Sequence, residues 1–366
     1  MIEPLVSVLT PFHNTAPYLA QCIESVLTQK YSRFEYILSD NCSTDESGQI
    51  AEAYARRDPR IRLIRQPRLL SQVPHYNHAL AEISPASQYC KIVQADDFIY
   101  PECLQLMVGT FGQSESIGLV SSHYLKGTTV LGSGFPYPTT FLPGKEMARL
   151  YLQKGVWAFG SPTTVMYRSI LVRNCQPFYD ESGVSEDTMK CMQILEDWDF
   201  GFVHQVLSFM RTDNDNESIS ANLRTFHPYV VSRYIMVRRY SPEFLEPAEA
   251  EALMRKSKQE YYGLLAKEAL RLREPAFWRY QERGLKVLGE KLDGVYLASQ
   301  IGGELLGKAA NRGATLVRAL RYWKRWVSRK RVSKDDPVRP KQESRDPFPA
   351  STKVNDPMMR KPVSEK

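Results

Sequence analysis

The first hundred residues alternate between short β-branched runs and segments with apolar residues at helical spacing, and this alternation constrains the fold more than any other feature. LVSVL (Leu5 to Leu9), FEYIL (Phe34 to Leu38), IRLI (Ile61 to Ile64) and Tyr89 to Val93 read as strands. Between them, Tyr18 to Leu27, Asp45 to Arg57 and Tyr76 to Ile83 carry apolar residues three and four apart, the pattern of a helix with one face buried. A helix between each pair of strands is a crossover, so the strands run parallel and the helices cover the sheet. The fold class is therefore α/β with a mostly parallel sheet. Ligands of such sheets sit beyond the carboxyl ends of the strands. Polar residues gather at those ends here: His13 and Asn14, Asp40 and Asn41, Arg65 and Arg68, Asp96 and Asp97.

Further along, Gly118 to Tyr124 reads as another strand, Gly144 to Lys154 and Asp187 to Leu195 as helices, and Phe200 to Met210 as the last strand. From Ser241 the pattern changes. Ser241-Pro242 reads as a helix cap followed by proline at the first helical position, and helical stretches continue to about residue 332. The remainder is rich in proline and charge and poor in core residues, the composition of a disordered segment. The expected division is 1–225 for the α/β domain, 226–332 for a helical extension and 333–366 for a tail.

Composition excludes several classes. No apolar run approaches the roughly 18 to 20 residues that cross a bilayer, and MIEPLVSVLTPF lacks the basic and apolar regions of a signal peptide. The six cysteines form no C-x-x-C pair, which argues against a disulfide framework or structural zinc and suits a reducing cytoplasm. The net charge of +7 is local: eight basic residues and no acidic one lie between Arg318 and Lys334, and without them the chain is near −1. Nucleic acid, which calls for a basic face across the fold, is not an expected partner. In RALRYWKRWVSRKR the basic residues interleave with Leu320, Tyr322, Trp323, Trp326 and Val327, which suits a helix lying on an anionic membrane surface. A terminal helix packed on the main domain is the alternative. The expected location is cytoplasmic, with peripheral attachment at the cytoplasmic face of the inner membrane.

Asp96 and Asp97 end the fourth strand and precede Pro101. Adjacent carboxylates there serve either a loop with a helix cap or a cation site. Hard divalent ions such as Mg²⁺ take carboxylate oxygens and fill their remaining positions with water and phosphate, so a nucleoside diphosphate would complete such a site. A dinucleotide-binding turn is excluded because TPFHNTAPY, after the first strand, has no glycine, and no phosphate-binding G-x-x-x-x-G-K-[ST] loop occurs.

Six motifs occur in order: VSVLTPFHN, EYILSDNCSTD, YNHAL, VQADD, SEDTMKCMQIL and LSFMR. In this ordered series, over roughly residues 4 to 220, the chain resembles the family 2 glycosyltransferases of GT-A fold. The resemblance implies transfer of a sugar from a nucleoside-diphosphate donor, UDP- or dTDP-type, to a glycan or lipid-linked acceptor, with inversion and with Mn²⁺ or Mg²⁺. It implies that Thr10, Pro11, Phe12, Asn14 and Asp40 hold the nucleotide, that Asn77 lies near the sugar or serves structure, and that Asp96 contacts ribose or sugar. Asp97, helped by Asp96, binds the metal. Asp187 takes the place of the general base, an assignment suited to inverting transfer, where one carboxylate deprotonates the acceptor hydroxyl. Glu196-Asp197 offers a second acidic pair, but it lies beyond the helix that Asp187 begins.

Two letters depart from the family pattern. Gln94 stands where an additional aspartate is frequent, which leaves metal binding to Asp97 and Asp96, and Phe12 stands where tyrosine is frequent. Trp157 and the turn Gly160-Ser161-Pro162-Thr163 are expected at the acceptor cleft, Arg211 near phosphate, and His78 on the surface. Two alternatives remain at this level: a nucleotidyltransferase, and a catalytically degenerate nucleotide-sugar-binding or membrane-associated scaffold protein, which Gln94 favours.

Overall fold

The computed structural model describes residues 3–181, 185–212 and 225–307. A ten-stranded sheet forms its centre, in the order β3-β2-β1-β4-β9-β6-β10-β5, with β7 on β6 and β8 on β10. The first four strands are β1 (Val6–Phe12), β2 (Phe34–Asp40), β3 (Ile61–Arg65) and β4 (Tyr89–Ile92). All neighbours among them are parallel. Their crossovers are α1 (Ala16–Leu27), α2 (Ser47–Arg57) and α3 (Gln72–Ala81). β1 is buried along its whole length, as a central parallel strand covered on both faces must be.

The second half of the sheet mixes directions. After β5 (Phe98–Ile99) and α4 (Cys103–Phe111), β6 (Ile117–Lys126) runs parallel to β10 (Asp199–Met210). Between β4 and β6 lies β9 (Met166–Arg168), antiparallel to both. β7 (Thr129–Leu131) and β8 (Phe141–Leu142) are short edge additions. Helix α5 (Gly144–Arg149) continues as a π-helical turn to Lys154, then come α6 (Ser169–Asn174) and α7 (Glu186–Ile194). The carboxyl ends of β1, β4, β6 and β10 thus open on one edge of the sheet.

Among the described residues the helices α8 (Pro228–Phe244), α9 (Pro247–Leu270) and α10 (Pro275–Val287) follow, and residues 294–307 are again helical. Each of the first three begins with proline, whose missing N–H falls where a helix has no intrahelical acceptor for it. The expected helix start at Ser241-Pro242 is corrected: Pro242 lies inside α8, which begins fourteen residues earlier at Pro228. The residue that imitated a start is in the final turn, where Leu245 donates its N–H to the Ser241 carbonyl. Val231, Ile235 and Tyr234 of α8 join the same apolar core as Met192 of α7 and Phe200 of β10. The helices after residue 226 therefore share the core of the α/β part, and Met1–Glu304 forms one compact unit. A second unit begins at Leu305. The basic stretch 318–334 and the tail 333–366 lie outside the described residues. No helix among the described residues is long and apolar enough to cross a membrane.

Candidate active site

Three adjoining hollows follow the carboxyl edge of the sheet. The first, about 340 Å³, lies between the end of β1 and the start of α3 and is lined by Pro11, Phe12, Asn41, Leu70 and His75. Tyr76 and Gln72 form its boundary with the second, about 310 Å³, which holds Asp96, Asp97, Lys126, Arg211 and Asp187. Asp187, Lys126, Ser161 and Tyr229 in turn border the third, about 500 Å³, walled by Tyr124 and Trp157. The arrangement is a single cleft with an apolar end, a charged middle and an aromatic end.

In the middle, Asp97 is only 3% exposed. Its Oδ2 accepts the Thr163 hydroxyl at 2.6 Å and its Oδ1 accepts the Arg211 N–H at 3.1 Å. Burial, reinforced by the neighbouring Asp96 charge, pushes its carboxyl up to about 7. Half-buried Asp96 opens on the same hollow, and its carbonyl accepts Arg211 Nε at 3.0 Å. The Arg211 guanidinium also reaches Gln21 at 2.6 Å and lies 4.6 Å over the Tyr18 ring, so it is fixed from three sides. Gln94 does not present an unanchored amide. It donates to the Tyr76 hydroxyl at 3.3 Å, and its N–H donates to Thr163 Oγ1 at 3.1 Å.

Two hard oxygen donors beside two basic side chains suit a divalent cation bound together with a diphosphate. Among the described residues no group of three or more His, Cys, Asp or Glu stands close enough to hold a metal on protein ligands alone. The fit is therefore to a cation that keeps phosphate and water as its other ligands. Asp97 and Asp96 would hold it.

Asp187 sits in the first turn of α7, where the helix dipole favours a carboxylate. The Thr188 N–H and hydroxyl both donate to its Oδ1, at 2.6 and 3.3 Å. Burial nevertheless raises its carboxyl above the ordinary range, and burial with the Asp187 charge brings Glu186 to about 6. The preceding Ser185 has φ of 52°, a left-handed conformation uncommon outside glycine, and its hydroxyl donates to Ser232 at 2.6 Å. Strain of this kind collects where surrounding structure over-determines a functional segment. Glu196 and Asp197 stand past the far end of α7, about 13 Å of helix away.

The other expected contacts divide. Pro11 and Phe12 line the apolar hollow, but Thr10 does not join them. Its side chain is fully buried, with Oγ1 2.8 Å from the Tyr36 hydroxyl and 3.7 Å from Cys22 Sγ, because it lies on the same face of β1 as Phe12 but two residues deeper, under Cys22 and Tyr36. Asn14 and Asp40 hold the loops together. Asn14 Oδ1 accepts the Thr44 N–H at 2.8 Å, and Asp40 Oδ1 accepts the Ser43 N–H at 2.9 Å. Asn41, not Asp40, reaches the hollow, braced by two hydrogen bonds to the Leu70 backbone. Asn77 is structural: it donates to the Tyr179 carbonyl and accepts the Tyr179 N–H, at 2.9 and 2.8 Å. Arg65 pairs with Glu52 at 3.0 Å, and His78 is exposed. Sequence reasoning missed Tyr76, Lys126, Tyr229 and the buried His75, whose Nε2 meets Ser39 Oγ at 2.9 Å. Lys126 was legible in part, as a lysine closing an apolar strand.

Residues 7–175 match the model of Glycosyl transferase family 2. Over this stretch, a little under half of its length, the chain is similar to the family 2 glycosyltransferases. Similar curated proteins include GlyG of Streptococcus pneumoniae, 29% identical over 123 residues, or 34% of this chain and 40% of that one. The uncharacterized glycosyltransferase YibD of Escherichia coli is 32% identical over 176 residues, or 46% of this chain and 50% of that one. The chain thus spans half or less of the length of these relatives. Among solved structures, TarS residues 1–349 of S. aureus, in complex with UDP-GlcNAc, superpose with a TM-score of 0.56 at 18% identity, over 76% of this chain and 79% of that one. At that identity the likeness concerns the GT-A fold.

Proposed function

We propose that this protein transfers a sugar, with inversion, from a nucleoside-diphosphate sugar to a hydroxyl of a glycan or lipid-linked acceptor. One observation carries the reading: Asp97 from the turn between β4 and β5 and Asp187 from the start of α7 face the same cleft, between an apolar hollow and an aromatic one. The apolar hollow suits a nucleotide base against Phe12. The charged middle suits a diphosphate, with Lys126 and Arg211 for its negative charge. Trp157, Tyr124 and Tyr229 suit a sugar ring, because an aromatic face packs on its C–H surface while polar edges keep their partners. TarS, of the same fold, is seen with UDP-GlcNAc, which supports a UDP-type donor.

In this reading the Asp187 carboxylate takes the proton of the acceptor hydroxyl as that oxygen forms its bond to the anomeric carbon. The bond from the anomeric carbon to the diphosphate oxygen breaks, and the nucleoside diphosphate leaves with the electron pair. Asp97 and Asp96 would hold a Mn²⁺ or Mg²⁺ ion, which would supply charge neutralisation for the leaving phosphate. Thr188 aims the Asp187 carboxylate, and Arg211 fixes the Asp96 carbonyl and the Asp97 carboxylate.

A thermal-shift screen of nucleotide sugars with Mn²⁺ tests the donor class, since a ligand of the native state raises Tm. With the donor in hand, Asp187→Asn is expected to lose about 10² to 10⁴ of transfer rate, the range of general-base catalysis, with little change in donor affinity. Full transfer by that variant would sink the base assignment.

A further inference from the structure

The strand that leads into Asp96 and Asp97 has a lysine at its centre. Lys91 is fully buried, with Cys90 and Ile92 as equally buried neighbours. A lysine is almost never found so deep without a demanding partner. A methionine or leucine of similar volume would fill the place without desolvating an amine. Burial of an apolar side chain alone gives no reason for the residue.

Its contacts give one. The Lys91 Nζ donates to the Thr163 carbonyl at 2.6 Å and to the Val165 carbonyl at 3.5 Å. These carbonyls belong to the short turn Pro162–Thr164 and the residue after it. The Thr163 hydroxyl in turn donates to Asp97 Oδ2 at 2.6 Å while accepting the Gln94 N–H at 3.1 Å. Lys91, Thr163 and Asp97 therefore form a relay across 66 to 72 residues of sequence, and the Arg211 N–H fixes the other Asp97 oxygen. Remove the amine, and the turn loses the donor that holds its Thr163 peptide against β4.

We infer that Lys91 is a positioning residue for the cation site: by strapping the Thr163 turn to β4 it sets the orientation in which Asp97 receives a divalent cation. The inference rests on the reading of Asp97 as a metal ligand. Outer hydrogen bonds of this kind set metal affinity by about 10- to 100-fold.

The test is Mn²⁺ binding by the full chain, read from the electron paramagnetic resonance of free Mn²⁺, alone and with UDP. Lys91→Met should bind Mn²⁺ about tenfold more weakly while still unfolding in a single cooperative transition. Thr163→Val should show the same loss and Thr163→Ser should bind like the parent. The Lys91→Met/Thr163→Val double variant should be no weaker than the weaker single one, since both cut one relay. Unchanged Mn²⁺ affinity in Lys91→Met, or additive losses in the double variant, would overturn the inference. Should Lys91→Met fail to fold, the threonine pair decides: equal affinities of the Val and Ser variants overturn the inference, and loss in Val alone supports it. A parent protein that binds no Mn²⁺ overturns this inference together with the metal reading. Sugar transfer that persists in EDTA would then show that the proposed function itself stands.

Discussion

Glu186 and Asp187 open α7 with two carboxylates that burial holds above their ordinary titration range, Glu186 to about 6. A folded-state value above the unfolded one means that the native state prefers the proton. The contribution to stability is complete below the unfolded value and is lost as pH rises through the folded one. For Glu186 that window runs from 4.5 to about 6. At pH 7.5 Glu186 is thus ionised at the expense of the fold. Glu186→Gln should raise Tm by about 1–3 °C at pH 7.5, corresponding to about 1 kcal/mol after allowance for partial solvent access, and by nothing at pH 4. Melting curves at the two pH values check this; an equal gain at both would refute the electrostatic cause. The pair also shows what a residue-level reading can see. The placement of Asp97 and Asp187 at the cleft was legible because a carboxylate after a strand or at a helix start tends to face the open edge of such a sheet. That Thr10 is closed off beneath Tyr36 and Cys22 was not legible, because depth along β1, not its place in a motif, decides whether the side chain reaches the hollow. Lys91 and Tyr76 went unread because their partners, Thr163 and Gln94, lie 72 and 18 residues away.

The turn that meets both β4 and the cleft depends on backbone shape. Gly160 has φ of +65°, and a Cβ there would stand 2.4 Å from Thr164 Oγ1, the atom that accepts the Ser161 N–H. Gly155, five residues earlier, has φ of +69° with nothing within 4 Å of the same position. Gly155→Ala should therefore cost only the left-handed conformation, about 1 kcal/mol, whereas Gly160→Ala adds the clash and should cost at least twice as much. Urea unfolding of the two variants reads the difference directly, and equal losses would mean that the turn yields. Elements with strong periodicity, β1 to β4 and α1 to α3, were legible because burial on one or both faces imprints its period on the sequence. The start of α8 was not. Its signal, His227-Pro228, is weaker than Ser241-Pro242, and only the packing of Val231 and Ile235 against the α/β core shows that the helix is already under way.

At the scale of the molecule, charge and core are separated along the chain. Sheet and helices from residue 3 to 304 form a unit whose apolar core runs from β1 to α10, while eight uncompensated basic residues lie between 318 and 334. The whole-chain fold class was legible because composition and alternation average over many residues. The use of the basic segment was not, since aromatic and basic residues in alternation suit a membrane surface and a protein surface alike. We propose that this segment docks the enzyme on anionic lipid at the cytoplasmic face of a membrane, where a lipid-linked acceptor would be found. Each basic residue near such a surface contributes about 1 kcal/mol, and the attraction decays within a Debye length, about 8 Å at physiological salt. The full chain should therefore sediment with vesicles containing phosphatidylserine at 0.1 M NaCl and be released at 0.5 M. A chain ended at residue 315 should remain in the supernatant at both, with the Tm of the parent, because the compact unit is intact. Neutral phosphatidylcholine vesicles should retain neither protein. Binding of the shortened chain equal to that of the full one would move the membrane contact onto the folded unit, whose exposed Leu272 and Val295 would be the next residues to replace.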